Sequence, residues 1–488
     1  MEENTKCTSW SIVYSSYEGV SKRAVELLSR EVGERVTREC GIYKLHVLPC
    51  YREEEEYKLR GNVIIIGKYS ESKAVRRFVS EDKVKGGYVV KTCKNPDDEG
   101  YYAVVITAER EEHLYRAAAT YLDDCTVTIA PKSGSLVLRR EIYDNPIKEA
   151  TIIRKVRNDG RGIFAWGHPI NNYRGMIADM ARVGLNRLIL WNDFAPLNAK
   201  DIVEYAYSFG ISVIWGYAWG WSEGACEAIP DLEDETMERL KVEVLRQYNT
   251  VWRGLGDGIY FQSFTERHDS SFRNKNIAEV VVKLVNDISS EIFKSDPDAI
   301  IEFGLHATSV RNDLDKIANV DPRVEILWED CGAFPYAYMP CETSEEDFNS
   351  ALDFTERIIN LRGKDAPVGL MFKGFAILDW SKNRFIHQRG PFILGDASPE
   401  LRAHDRDLRR DSWRSYSAAW IRYGELASRM ARHILALTDG RINMCMAGLF
   451  DGDLYIPEAI CSEIFENPEV PYEEIVERVL KRRSTYIE

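Results

Sequence analysis

From about residue 150 onward the chain repeats one pattern: a short apolar run, a loop, then an amphipathic stretch. The apolar runs are GIFAWGHP, NRLILWND, ISVIWGYAWGW, GIYFQSFTE, AIIEFGLHA, VEILWED, VGLMFKGFAILDW and INMCMAGLF. Short continuous apolar runs read as buried strands. Between them, Tyr173, Met176, Ile177, Met180 and Val183 fall at helical spacing. Asn198 is placed to cap the next helix, which Gly210 ends. Further helices are expected at 235–252, over NIAEVVVKLVNDISSEIF, over NDLDKIAN, and near 346–361, 412–437 and 457–483. Strands alternating with helices imply parallel pairing and right-handed crossovers. Eight such units suit a closed (β/α)8 TIM-type barrel better than an open doubly wound sheet. No G-x-G-x-x-G follows a strand, which removes the main support for a dinucleotide fold.

The first 148 residues read differently. SWSIVYSS and NVIIIG are strand-like, and GVSKRAVELLSREVGERV is helical, with Val25, Leu27, Leu28, Val32 and Val36 apolar. GGYVVKTC and YYAVVITA flank KNPDDEG, a turn signal. EEHLYRAAATYLDD closes the segment as a helix. The expectation is a small α/β sandwich at 1–148, with helices on one side of its sheet, and a barrel at 149–488.

The chain has 488 residues, 44% hydrophobic and 29% charged, an ordinary globular balance. Its net charge of −14 argues against nucleic acid and anionic membrane as main partners. No window reaches the run of about 18 apolar residues that spans a bilayer. The N-terminus lacks a basic segment followed by an apolar one, so a cytoplasmic location is expected. The ten cysteines are scattered with no C-x-x-C pair, which fits a reducing compartment and disfavours a zinc knuckle. A homo-oligomer is compatible with all of this.

Barrel chemistry sits at the C-terminal ends of the strands. Read in order, those ends carry Trp166, His168, Asn171 and Asn172; then Trp191, Asn192 and Asp193; then Trp215, Tyr217, Trp219 and Trp221. The fourth carries Glu266, Arg267, His268 and Asp269, and the fifth His306. The sixth carries Trp328, Glu329 and Asp330; the seventh Lys373, Asp379 and Trp380; the eighth Asp451 and Asp453. Indole rings and carboxyls recur. A sugar ring offers an apolar C–H face and hydroxyl edges, which aromatic walls and hydrogen-bonding acids and amides match. Glycoside cleavage also needs two carboxyls of different acidity flanking one bond. Glu266 is the candidate general acid, and Glu329 or Asp330 the candidate base or nucleophile.

Structural readings stand beside these. Adjacent acids on a strand point to opposite faces, so only one of Glu329 and Asp330 need face the pocket. Trp215 reads as packing, and Asp451-Gly452-Asp453 as a turn. His168, His268 and His306 lack the H-x-x-H or H-E-x-x-H spacing of a metal site, so neither metal nor cofactor is expected.

Two stretches carry a resemblance. EGYYAVVITAEREEHLYRAAATYL, feeding into a barrel that opens with GHPINNYRGMIADMARVGLNRLILWNDF, resembles the layout of family 67 α-glucuronidases and of family 20 and family 84 hexosaminidases. Where family 20 has adjacent Asp-Glu at the fourth strand, this chain has Thr265-Glu266, which departs from the acetamido-sugar mechanism. The glucuronidase resemblance implies Glu266 as acid, with Glu329, Asp330 or Asp379 as the second carboxylate. It also implies a basic group for a uronate carboxylate, with Arg267, Lys373 and Arg174 as the candidates. The expected function is thus an O-glycoside hydrolase acting on oligosaccharides. The expected binding residues are Trp166, His168, Asn172, Trp191, Asn192, Asp193, Trp219, Arg267, His306, Trp328, Lys373 and Asp379. A non-hydrolytic sugar-binding barrel, or a lyase or isomerase acting on sugar acids, is the alternative.

Overall fold

The computed structural model describes residues 10–39, 48–54, 58–125, 127–132, 135–140, 149–166, 170–191, 194–220, 231–267, 269–331, 344–363, 365–372, 391–440, 442–448 and 455–483; of Trp166 and Asp330 it describes the backbone. The N-terminal part contributes β1 (Trp10–Tyr14), β2 (Cys50–Arg52), β3 (Asn62–Lys68), β4 (Gly87–Lys94), β5 (Tyr102–Ala108), β6 (Val127–Lys132), β7 (Ser135–Arg140) and β8 (Ala150–Lys155). Six of these form one mixed sheet in the order β2-β1-β3-β5-β4-β8, and β6 pairs with β7. The turn between β4 and β5 closes an antiparallel hairpin, as its Asn-Pro-Asp-Asp sequence predicts. β8 returns to pair with β4, so the sheet runs on past residue 148, the expected boundary.

Alternation along the strands sends Ile64, Ile66, Val104 and Ile106 to one face, against Val25, Leu28 and Leu114 of the Gly19–Glu39 and Leu114–Thr120 helices. Val63, Ile65 and Val105 turn to the other face. The expectation of helices on one side needs correction. Two single-turn helices, Lys73–Arg76 and Glu81–Val84, cover the second face with Val75 and Val84.

The rest of the chain closes into a barrel. Its strands are β9 (Gly160–Trp166), β10 (Arg187–Trp191), β11 (Ser212–Gly216) and β12 (Gly258–Gln262), then, past the small hairpin β13 (Ser271–Phe272) and β14 (Lys275–Asn276), β15 (Ile300–Leu305), β16 (Glu325–Cys331), β17 (Val368–Phe372) and β18 (Asn443–Ala447). Every barrel neighbour is parallel, and β18 pairs with β9. The long helix expected near 412–437 is two, Pro399–Tyr423 and Glu425–Thr438, broken at Gly424. There the Trp420 carbonyl accepts from both the Gly424 N–H and the Tyr472 hydroxyl. The helix expected at 457–483 is also two, because Pro468 and Pro471 lie between Glu466 and Tyr472. No helix among the described residues is long and apolar enough to cross a membrane.

At the strands' N-terminal ends the barrel interior is polar. Arg187 of β10 pairs with Glu302 of β15, and Asn443 of β18 donates to both Glu325 oxygens, at 2.9 and 2.7 Å. Burial raises the Glu325 pKa despite Arg187 and Asn443.

The N-terminal domain docks beside this same end. Its helix residue Arg116 bonds Glu463 and the Arg182 carbonyl, and lies 3.4 Å from a Glu466 oxygen. Arg482 spans Asp124 at 2.8 Å and Glu463 at 2.6 Å, while Arg182 reaches Asp123 at 2.7 Å and Glu31 at 2.6 Å. These acids and bases are buried, or half-buried in the case of Glu31 and Asp124, but each has opposite charges and hydrogen bonds around it, the condition under which buried ions are tolerated. The cations hold Glu463 and Asp124 below the usual carboxylate range, against the opposing effect of burial.

Beside this lattice, His113 lies 5% exposed in a cavity of about 10 Å³ lined by Arg161, Arg116, Glu112, Asn186 and Glu466. Burial first, then Arg161 and Arg110, push its pKa down to about 3.

Removing one lattice member strands its partners. Arg116→Met is expected to cost about 3–5 kcal/mol in chemical denaturation, since it leaves Glu463 and Glu466 under-compensated. For His113 the unfolded chain takes up a proton below about pH 6.5 and the folded chain refuses it until about pH 3. Its contribution is therefore present above about pH 6.5 and is lost as pH falls. In His113→Leu, the loss of Tm between about pH 7 and about pH 4 should be smaller than in the parent, by thermal melts at matched ionic strength.

Candidate active site

A closed parallel barrel brings all eight strand C-termini to one mouth. Two positions on β12 are decisive there. Tyr260 and Gln262, two residues apart, share the inward face. Both donate to Oε1 of Glu329 on β16, and the Gln262 amide lies 3.2 Å from the Tyr260 hydroxyl. The other Glu329 oxygen, Oε2, lies 3.1 Å from Nε2 of His306, just past β15. Glu329 is fully buried and His306 nearly so. A carboxylate removed from water is costly unless hydrogen-bonded, and here two side chains of β12 and one from the exit of β15 supply the contacts. Gly304 of β15 permits this closeness. A Cβ there would overlap both the Tyr260 hydroxyl and Glu329 Oε1.

β16 is irregular where the acids lie. Trp328 pairs with Leu370 but Cys331 pairs with Phe372, so three steps on β16 match two on β17. Such irregularities break the strict alternation of side chains and re-aim residues near active sites. Asp330 lies within this segment.

Glu266 sits higher, half-buried, at the end of a 3₁₀ turn, Phe264–Glu266, that follows β12. The turn is pinned to the β15 exit. The Thr265 carbonyl accepts from Ser309 N–H at 3.1 Å and from Ser309 Oγ at 2.6 Å. Arg267 is buried, with its guanidinium 4.4 Å over the Phe272 ring of β13. The hairpin carrying Phe272 turns at Arg273 and Asn274, both at positive φ (48° and 66°).

Other expected binding residues divide sharply. Trp191 packs inside the barrel, edge-on to Tyr260 at 5.7 Å and 75°, fully buried. Trp219 is corrected: it stacks at 3.7 Å and 10° on Phe261, which points away from the interior and stacks in turn on Phe303. It belongs to the layer between strands and helices. Trp328 is corrected likewise. It faces outward, with its indole N–H on Thr355 Oγ1 at 2.9 Å and its ring 4.3 Å from Phe354. Asn172 spends its side-chain oxygen on the Gly175 N–H at 3.1 Å, capping the Tyr173–Val183 helix. Arg174 lies 4.9 Å over the Tyr173 and Tyr205 rings. Trp215 packs against Trp252 in the outer layer, as read from the sequence. Trp166 ends β9, in register with Trp191. His168, Asn192, Asp193, His268, Lys373 and Asp379 lie outside the described residues.

Sequence reasoning missed Tyr260 and Gln262. Their signal was a polar amide at an inward strand position, two residues past a tyrosine.

The mouth is bordered on one side by a strap, residues 391–398. Leu197 N–H bonds the Phe392 carbonyl at 2.9 Å, and the Asn198 amide exchanges two bonds with Leu394, at 2.9 and 3.0 Å. Tyr173 N–H bonds the Gly395 carbonyl at 3.1 Å, and Ala397 N–H bonds the Asn171 carbonyl at 3.0 Å. Gly395 has φ of 71° and lies against the Tyr173 backbone, so no side chain fits there.

The outward placement of Trp328 makes it a packing residue. Trp328→Phe should lower stability by about 1 kcal/mol through the lost hydrogen bond to Thr355. It should leave ligand binding and turnover within about twofold of the parent.

No protein-family model matches the chain, and no curated protein matches it. Solved structures do. A family 115 4-O-methyl-α-glucuronidase, described as specific for decorated arabinogalactans, superposes with a TM-score of 0.50 at 12% identity, over 98% of this chain and 59% of that one. The present chain therefore spans less than two thirds of that enzyme's length. A family 20 β-N-acetylhexosaminidase from Streptomyces coelicolor A3(2) gives 0.49 at 8% identity, over 97% and 91%. At such identity the likeness to the family 115 enzyme is one of fold alone.

Proposed function

We propose that the chain is an O-glycoside hydrolase acting on short oligosaccharides. The observation that carries this is a half-buried acid at the barrel mouth, Glu266, together with a fixed polar cluster around the buried Glu329, whose chain neighbour Asp330 is a second carboxyl. Glu266 is half-buried on a turn pinned by Ser309, and Glu329 is fully buried within hydrogen-bonding contact of three side chains. Glycoside cleavage asks for two carboxyl roles set apart by environment. Glu266 serves as the general acid, protonating the leaving oxygen. Glu329 has both oxygens engaged and no surface, so it acts as a positioning residue, holding Tyr260, Gln262 and His306 in place. The attacking or water-activating role then falls to Asp330, its chain neighbour at the irregularity in β16. A uronate-bearing substrate, as in an α-glucuronidase, is the finer reading; Arg267, buried next to Glu266, and Arg174, over the Tyr173 and Tyr205 rings, are the described candidates for its carboxylate. The stereochemical course follows from the acid-to-base spacing, about 5 Å for retention and about 6.5–9.5 Å for inversion.

Turnover of aryl glycosides and aryl glycuronides tests the reading. Glu266→Gln should slow substrates with poor leaving groups by about 10²–10⁴-fold and those with highly acidic phenols far less. Asp330→Ala should lose activity that azide restores, while Glu329→Gln should show no azide rescue. Equal activity of Glu266→Gln and parent on both classes would sink the assignment of the acid. A parent that cleaves nothing, yet is stabilised by sugars in thermal melts, would instead be a sugar-binding barrel.

A further inference from the structure

The strap described above does more than border the mouth. Together with the loop after β10 it exposes large apolar side chains: Phe194 at 48%, Leu197 at 72%, Ile393 at 56% and, on the helix the strap feeds, Leu401 at 49%. Elsewhere on the described surface such residues are mostly scattered along helices and strand ends. Here they are clustered on two hydrogen-bonded segments. Grouped exposed apolar surface on a soluble protein marks an interaction site.

Two facts about placement narrow what it meets. The strap is bonded to Asn171, Tyr173, Leu197 and Asn198, all in segments that follow β9 or β10, so the cluster stands at the C-terminal face where barrel sites are built. Five backbone or amide hydrogen bonds and the positive-φ Gly395 fix it. Binding to a fixed surface costs little ordering entropy. Phe194 offers an aromatic ring, and Leu197 and Ile393 offer aliphatic groups on the two bonded segments, a chemistry complementary to the C–H face of a pyranose ring.

We infer that Phe194, Leu197 and Ile393 form a second sugar subsite, which takes a ring of the substrate one or more units from the bond that is cleaved. This rests on the glycosidase reading for its setting, and it makes the protein selective for oligosaccharides over single-sugar glycosides.

The test uses Phe194→Ala and Ile393→Ser. Both positions are exposed, so folding should be preserved, as thermal melts will check. Two readouts are needed. Kinetics compare the 4-nitrophenyl glycoside of whichever sugar is turned over with the matching trisaccharide. Calorimetry measures binding of xylotriose, chitotriose and trigalacturonic acid to parent and variants, and needs no turnover. The expected result is a KM or Kd for the trisaccharide raised about three- to tenfold, with the nitrophenyl glycoside unchanged within about twofold. Unchanged trisaccharide binding in both variants overturns the inference. So does an equal loss on both substrates, which would place these residues in the catalytic centre, and so does a parent that binds none of the trisaccharides. If no substrate is turned over but the variants still weaken trisaccharide binding, the subsite stands and the hydrolase reading falls.

Discussion

The closing of β18 on β9 is the constraint on which the rest depends. Once those two strands pair, all eight run the same way around one axis, and every strand end is assigned to a mouth or a floor. Closure needs room. A Cβ at Gly160 would overlap the Asn443 side chain, and one at Gly162 would come within 2.7 Å of the Cys445 sulfur. Both glycines are on β9 and both neighbours on β18, so the seam is made where side chains are omitted. With the seam closed, Arg187, Glu302, Glu325 and Asn443 fill the floor, and the eight strand C-termini gather at the mouth.

The mouth in turn is organised by one buried acid. Glu329 cannot be placed in a barrel interior without donors, and the barrel supplies them from one side: Tyr260 and Gln262 from β12, and His306 from beyond β15. β15 lies between β12 and β16 in the sheet, so those side chains must pass over it. Gly304 is the point of passage. The cost of burying a charge is thus met by a geometry that also fixes four polar side chains relative to one another, which is what a preorganised site requires.

Much of this was legible in the sequence, for definite reasons. Strand and helix alternation is a statement about local hydrophobic period, and local period survives into the fold. The acids at the ends of β12 and β16 were legible because a barrel assigns strand ends to one face. The tryptophans were not. Trp191 and Trp328 look alike in sequence, each at the end of an apolar run before Asn-Asp or Glu-Asp, yet one faces in and the other out. Their orientation follows from the register of each strand, which side-chain type does not encode. Tyr260 and Gln262 were overlooked because their role exists only when β16 is brought two strands away. The break at Gly424 depends on Tyr472, far along the chain, and so could not be read locally either.

The charged lattice behind the barrel has a consequence in time. Arg116 and Asp124 belong to the part of the chain made first; Asp124 has Arg154 close by in the chain, but Glu463, which pairs with Arg116, and Arg482, which also holds Asp124, lie 347 and 358 residues later. A ribosome making about 5–20 residues per second delivers those partners tens of seconds after the N-terminal sheet has emerged. Until the last two helices arrive, the helix carrying Arg116 has no lasting seat for its charge, and the apolar surface around it stays uncovered. The chain is therefore most exposed to aggregation late in synthesis, and its C-terminal helices act as the latch that ends that interval.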